Sequence, residues 1–257
     1  MYKNLIIKSI KDIFDNYESI TKAILIPIAL LLFLNIAATA FTPLDQKFSI
    51  ASIFFTFLTI LVDIVILITV HRILILGNDS VPKWGIQKFE KREFSFFLKY
   101  LMVAIIFVTV IVLTTAFLQL FGINLFVSIF VTMLISAIYF SRVSLVFPAI
   151  AVDTKMSFRE SFEYTKDFKL LIFVTVIVFP VLFSIVFGGI YTLIITLLAQ
   201  SISSHINLLL VLLNVAVSVF LVSALSNTYM FISETLSQQN PDDKIDYDEE
   251  NTDNDRD

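Results

Sequence analysis

The chain has 257 residues, of which 58% are hydrophobic and only 16% charged, and its mean hydropathy is +0.89. Water-soluble domains are roughly 45–50% apolar and about 25% charged, so a soluble globular domain is excluded. With no Cys, disulfides, thiolate nucleophiles and Cys metal sites are excluded too, and the two His residues, His71 and His205, lie too far apart in the chain to form a recognisable metal pair.

The chain opens on an amphipathic stretch. Ile6, Ile10, Ile13, Phe14 and Tyr17 share one helical face, with Lys8, Lys11, Asp12 and Asp15 largely off it. Ala23 to Leu44 follows as a 22-residue window without charge. That is longer than the 7–15 residues of a signal core, so a retained first span is expected despite the small residues Ala38-Thr39-Ala40. Phe48 to His71 holds a second span, interrupted only by Asp63. A second amphipathic stretch sets Ile86, Phe89, Phe94 and Phe97 beside Lys88, Lys91 and Arg92, with Trp84 at interface height. Tyr100 to Ser141 is 42 residues without Lys, Arg, Asp or Glu, enough for two spans turning at Gly122-Ile123-Asn124. Ser157-Phe158-Arg159-Glu160 fits a capping box that opens a third surface helix, with Phe158 and Phe162 one turn apart. Leu170 to Ser233 adds 64 residues free of those four residue types and two more spans, turning near 201–207.

The expected fold is therefore all-α: an integral membrane bundle over residues 1–232, with spans near 23–42, 50–72, 100–121, 124–147, 170–197 and 208–232. In hydrocarbon the backbone must satisfy its own hydrogen bonds, so these Val-, Ile- and Phe-rich runs mean helices rather than strands. Residues 233–257 carry ten acidic side chains against Lys244 and Arg256, and form a disordered tail that either solvates the chain end or docks on a basic partner or the protein's own basic loops. The rest of the chain has a net charge of +4.

With both termini cytoplasmic, only Lys47 of the 18 basic residues falls outside, a strong positive-inside bias that predicts a multi-pass inner-membrane protein. Arg72 and Arg142 stand 70 residues apart at the inner ends of even-numbered spans, and Ile-Phe-Val-Thr-Val-Ile-Val occurs at both Ile106–Val112 and Ile172–Val178. These echoes suggest three parallel repeats of a surface helix plus a two-span hairpin: 1–76, 77–150 and 151–232. The surface helices either lie flat among anionic headgroups or pack on the bundle as linkers.

Asp63 is the candidate functional intramembrane residue, because a mid-span carboxylate costs about 2.5–3.5 kcal/mol to insert. It is expected either to hydrogen-bond, protonated, to Asn35, Gln119 or Asn214, or to couple protons or cations. Arg72, Arg142, Lys88, Lys91 and Arg92 are candidates for lipid-phosphate or interface contact, with orientation anchoring as the plainer role of the two span-end arginines. Pro27, Pro148, Pro180 and Gly188-Gly189 are expected to kink their spans. No Gly-rich phosphate loop, paired carboxylates or nucleophile-base motif is present, so neither catalysis nor a cofactor is expected. Three functions compete: organising or sensing the inner leaflet, transport with Asp63 in the pathway, or anchoring a soluble partner. Anionic membrane lipids are the expected partners, with a second copy of the chain a further candidate and no nucleic acid.

Arg142-Val-Ser-Leu-Val-Phe-Pro148-Ala-Ile-Ala-Val-Asp153, followed by Ser157-Phe-Arg-Glu-Ser161-Phe-Glu-Tyr-Thr165, resembles a recurring pattern. It is similar to the YciC-type family of uncharacterised bacterial inner-membrane proteins and to the membrane domain of some glycerophosphodiester phosphodiesterases. The resemblance implies six spans and an inner-membrane location. It brings no catalytic residues, since the phosphodiesterase domain has no counterpart here.

Overall fold

A computed structural model describes residues 2–41, 49–85 and 89–239. Every regular element among them is helical, and six helical runs are long and apolar enough to cross a membrane: Tyr17–Phe41, Ile50–Leu76, Lys91–Leu120, Leu125–Ala151, Lys169–Ser201 and His205–Gln238. The chain is a multi-pass, all-α membrane protein. Lys47, Ile86, Lys88 and the acidic tail beyond Gln239 lie outside the described residues.

Helix α1 (Tyr2–Asp15) leads into α2 (Tyr17–Phe41), which pairs with α3 (Ile50–Leu76) as the first hairpin. Helices α4 (Lys91–Leu120) and α5 (Leu125–Val143) form the second. The small polar residues Ser128, Thr132 and Ser136 of α5 are all buried, and Thr132 meets Thr115 of α4; small residues let two helix backbones approach closely within a membrane. The short helices α6 (Val146–Ala151) and α7 (Phe158–Tyr164) follow. The fifth span comprises α8 (Lys169–Phe173), α9 (Phe179–Phe183) and α10 (Gly189–Ser201), joined by π-helical turns at Val174–Val178 and Ser184–Gly188. Proline removes one N–H from the ladder and π turns absorb such defects, which accounts for their position around Pro180. The chain ends in α11 (Leu210–Gln239), which touches α1, α2, α3, α6 and α9 and forms the post of the bundle. Pro27, by contrast, stays within a continuous α2.

Packing is uneven along the spans. The end of the bundle bearing Arg72, Arg92 and Arg142, here the basic end, is dense: every residue from Val143 to Val152 is buried, and all but Ser144 are apolar. Toward the far end α4 and α5 show Val108, Val112, Phe117, Phe126 and Phe130 on their surface, an exposure of large apolar groups suited to lipid rather than water.

The surface elements refine the sequence expectation. Helix α1 keeps Phe14 and Tyr17 of its predicted apolar face outward. Both are exposed, and it docks through Leu5 and Ser9, with Ser223 Oγ of α11 donating to the Ser9 carbonyl at 2.8 Å. The second amphipathic stretch is no separate helix from Lys91 onward: Glu90 and Glu93 cap a helix that continues unbroken into the third span. Helix α7 begins at the expected capping box. Ser157 N–H donates to Glu160 at 2.6 Å, and Glu160 N–H donates to Ser157 Oγ at 3.1 Å.

That box makes α7 sensitive to pH. The Ser157 backbone N–H, reinforced by its hydroxyl, holds the Glu160 carboxyl below its usual 4.5. A depressed carboxyl contributes stability that is complete above 4.5 and is lost as pH falls through its folded value. The stability difference between the native chain and Glu160→Gln is therefore expected to shrink on acidification, measured by thermal unfolding in detergent at stepped pH. Ser157→Ala is expected to cost about 1 kcal/mol at neutral pH.

Candidate functional site

Of the charged residues that the sequence singles out, Arg72 and Arg92 converge at the basic end, through a residue outside that set. Helix α5 stops at Val143, and Pro148, lacking an N–H, cannot bond the Ser144 carbonyl, which takes Phe147 N–H at 3.1 Å instead. The chain turns into α6 and leaves it at Asp153, whose φ of +63° is unusual for a residue other than glycine, though Asp tolerates it better than most. This turn carries the Asp153 carboxylate between two helices. Arg72 at the end of α3 donates to it at 2.6 Å, and Arg92 at the start of α4 at 3.2 Å.

Arg72 is further held by the carbonyls of Ala151 at 3.0 Å and Ser80 at 3.1 Å. A cation at the last carbonyls of α6 also complements the negative end of its dipole. Arg92 grips Glu93 through Nε and Nη2 at 3.0 and 2.8 Å, while the other Glu93 oxygen accepts Glu90 N–H at 2.8 Å. Glu93 is completely buried. Two arginines and two carboxylates sum to zero, so this cluster clamps α3, α4 and α6 together without offering net positive charge.

Arg142 makes a second clamp. Its Nη2 donates to the Phe162 carbonyl at 2.6 Å, and its guanidinium lies 3.3 Å from the Phe162 ring centre. Ser161 Oγ donates in return to the Arg142 carbonyl at 2.8 Å, which binds α7 to α5. Cation–π stacking of this kind depends on the flat guanidinium face.

Lys91 is exposed and has no ion pair among the described residues, and Lys88 lies outside them. Asp63 is exposed and makes no hydrogen bond to any described residue. The expected bonds to Asn35, Gln119 or Asn214 do not form. Asn35 donates to the Leu31 carbonyl of its own helix at 2.9 Å, Gln119 sits near the far end of α4, and Asn214 is exposed on α11.

Sequence reasoning missed three polar features. Asp153 appears in it only within the family-like pattern, although an acid following a span-ending Arg and Pro was a usable signal. Glu93 stands in a charged run with no feature that marks it out, yet it is fully buried in the first turn of α4. His71, considered only for metal binding, is 1% exposed and bonds Ser226 Oγ at 2.7 Å from Nδ1. No sequence signal pairs residues so far apart in the chain.

No protein-family model, curated protein or solved structure shows a significant match to the chain.

Proposed function

We propose that this is a non-catalytic inner-membrane protein, with both termini cytoplasmic, that gathers and organises anionic lipid in the cytoplasmic leaflet. One observation carries the reading. The arginines Arg72, Arg92 and Arg142 are bonded within the protein, whereas the exposed Lys3, Lys8, Lys11, Lys83, Lys91, Lys155, Lys166 and Lys169 have no ion pair among the described residues. Exposed Trp84, Phe89 and Phe94 stand among them. Lysines beside interfacial aromatic rings suit an anionic headgroup layer, with about 1 kcal/mol for each Lys near the surface. The likeness of the pattern at Arg142, Pro148 and Asp153 to the YciC-type proteins supports the inner-membrane part of this reading.

Lipid co-purifying from mixed vesicles tests it. Changing Lys8, Lys11, Lys88 and Lys91 together to Gln is expected to lower the retained anionic fraction severalfold while leaving neutral lipid unchanged. Unchanged retention of anionic lipid would sink the reading. A second reading, transport, rests on Asp63, which has no partner among the described residues, and it requires a solute flux in proteoliposomes that Asp63→Asn abolishes.

A further inference from the structure

A cleft of about 510 Å³ separates the α4–α5 hairpin from α3, α11 and the fifth span. Its walls include Leu67, Val103, Phe107, Met133 and Leu225, and among the described residues no Lys, Arg, Asp or Glu lines it. Exposed Met133 and Val181 on its rim open it sideways to the membrane. Along α4 it runs from Phe96 to Phe107, about 16 Å at the helical rise, which is half of a ~30 Å hydrocarbon layer. The length therefore matches one leaflet.

At the basic end of the cleft sits its one buried polar side chain, His71. Ser226 is fully buried, and its hydroxyl has no partner among the described residues except His71 Nδ1. A buried hydroxyl must donate somewhere, so Ser226 donates to Nδ1 and the ring proton sits on Nε2. Nε2 has no partner among the described residues, leaving a donor without an acceptor beside an apolar channel. We propose that the cleft takes one acyl chain of a glycerolipid, the ester carbonyl accepting the His71 Nε2–H and the tail running toward the membrane middle. An ester fits better than a free carboxylate, because nothing lining the cleft neutralises a negative charge. The headgroup stays outside, at the basic end. The proposal deepens the leaflet reading and rests on it only for which leaflet supplies the lipid.

The test uses the full chain in neutral phosphatidylcholine vesicles holding a trace of phosphatidylcholine with a photoreactive group on its acyl chain, and adducts are mapped by mass spectrometry. Adducts are expected on the segments carrying Val103, Phe107 and Met133. Ala104→Trp, which fills the cleft from an exposed lining position, is expected to lower them about tenfold. His71→Phe should lower them severalfold where the variant keeps its melting temperature, and the Ala104→Trp arm decides where it does not. Adducts spread evenly over lipid-facing sites such as Val112 and Phe130, or unchanged by Ala104→Trp, would overturn the proposal. So would labelling by a photoreactive free fatty acid alone. The neutral vesicles keep the outcomes separate: the lysine variants should label normally here even though they lose anionic lipid, and failure of the lysine test leaves this result standing.

Discussion

Gly85→Ala is expected to prevent accumulation of the folded protein. Gly85 is buried with φ +67°, and a Cβ built there overlaps the carbonyl oxygen of Ala23 and lies 3.2 Å from Cδ of Pro27. The approach is close because of Pro27: having no N–H, it leaves the Ala23 carbonyl four residues earlier without its helical donor, and the loop after α3 settles over that gap. Neither side can retreat, since one is helix backbone and the other a loop anchored by Val81, which packs against the core. Left-handed strain and the clash together should cost about 3 kcal/mol or more. Gly77→Ala is the control. It also has positive φ, +92° with ψ 175°, a region all but reserved for glycine, but a Cβ there meets nothing within 4 Å, so only the conformational cost of about 1–3 kcal/mol applies. Monodisperse yield in detergent separates the two variants.

Glu93→Ala should be the most damaging change within the charged cluster, lowering stability by about 3 kcal/mol, because it removes the fully buried member of the pair and leaves Arg92 with Asp153 alone. It deletes both contacts from Arg92 and the acceptor for Glu90 N–H. Asp153→Ala should cost less, since its side chain is 47% exposed and water can replace part of what Arg72 and Arg92 lose. Glu93→Gln should fall between, keeping the shape without the charge. Thermal unfolding of the three in one detergent gives the order, and an Asp153 variant weaker than the Glu93 variant would refute the assignment of Glu93 as the keystone.

The spans were legible because lipid imposes a simple rule: long runs without charge must be helices, and Tyr100–Ser141 or Leu170–Ser233 admit little else. The turn at Gly122 and the Ser157 capping box were legible for the same kind of local reason. What escaped the sequence was partnership across the bundle. Arg72 and Arg142 look alike in sequence, yet one meets a carboxylate 81 residues away and the other an aromatic ring 20 residues away. Amphipathic spacing identified a surface stretch at α1 without saying which stripe would dock, because Leu5 and Ser9 win only when Ser223 is opposite. The His71–Ser226 pair, 155 residues apart, follows from helix packing alone.

Orientation is the claim on which the lipid reading depends, and the absence of native Cys makes it directly measurable. Single cysteines at Phe121 and Ile202, exposed at the far end, and at Asp79 and Lys166, exposed at the basic end, can be probed on intact cells with a membrane-impermeant maleimide. Phe121→Cys and Ile202→Cys are expected to label from outside, while Asp79→Cys and Lys166→Cys react only after the cells are opened. Labelling of Lys166→Cys on intact cells would turn the lysine array away from the cytoplasmic leaflet and contradict the account.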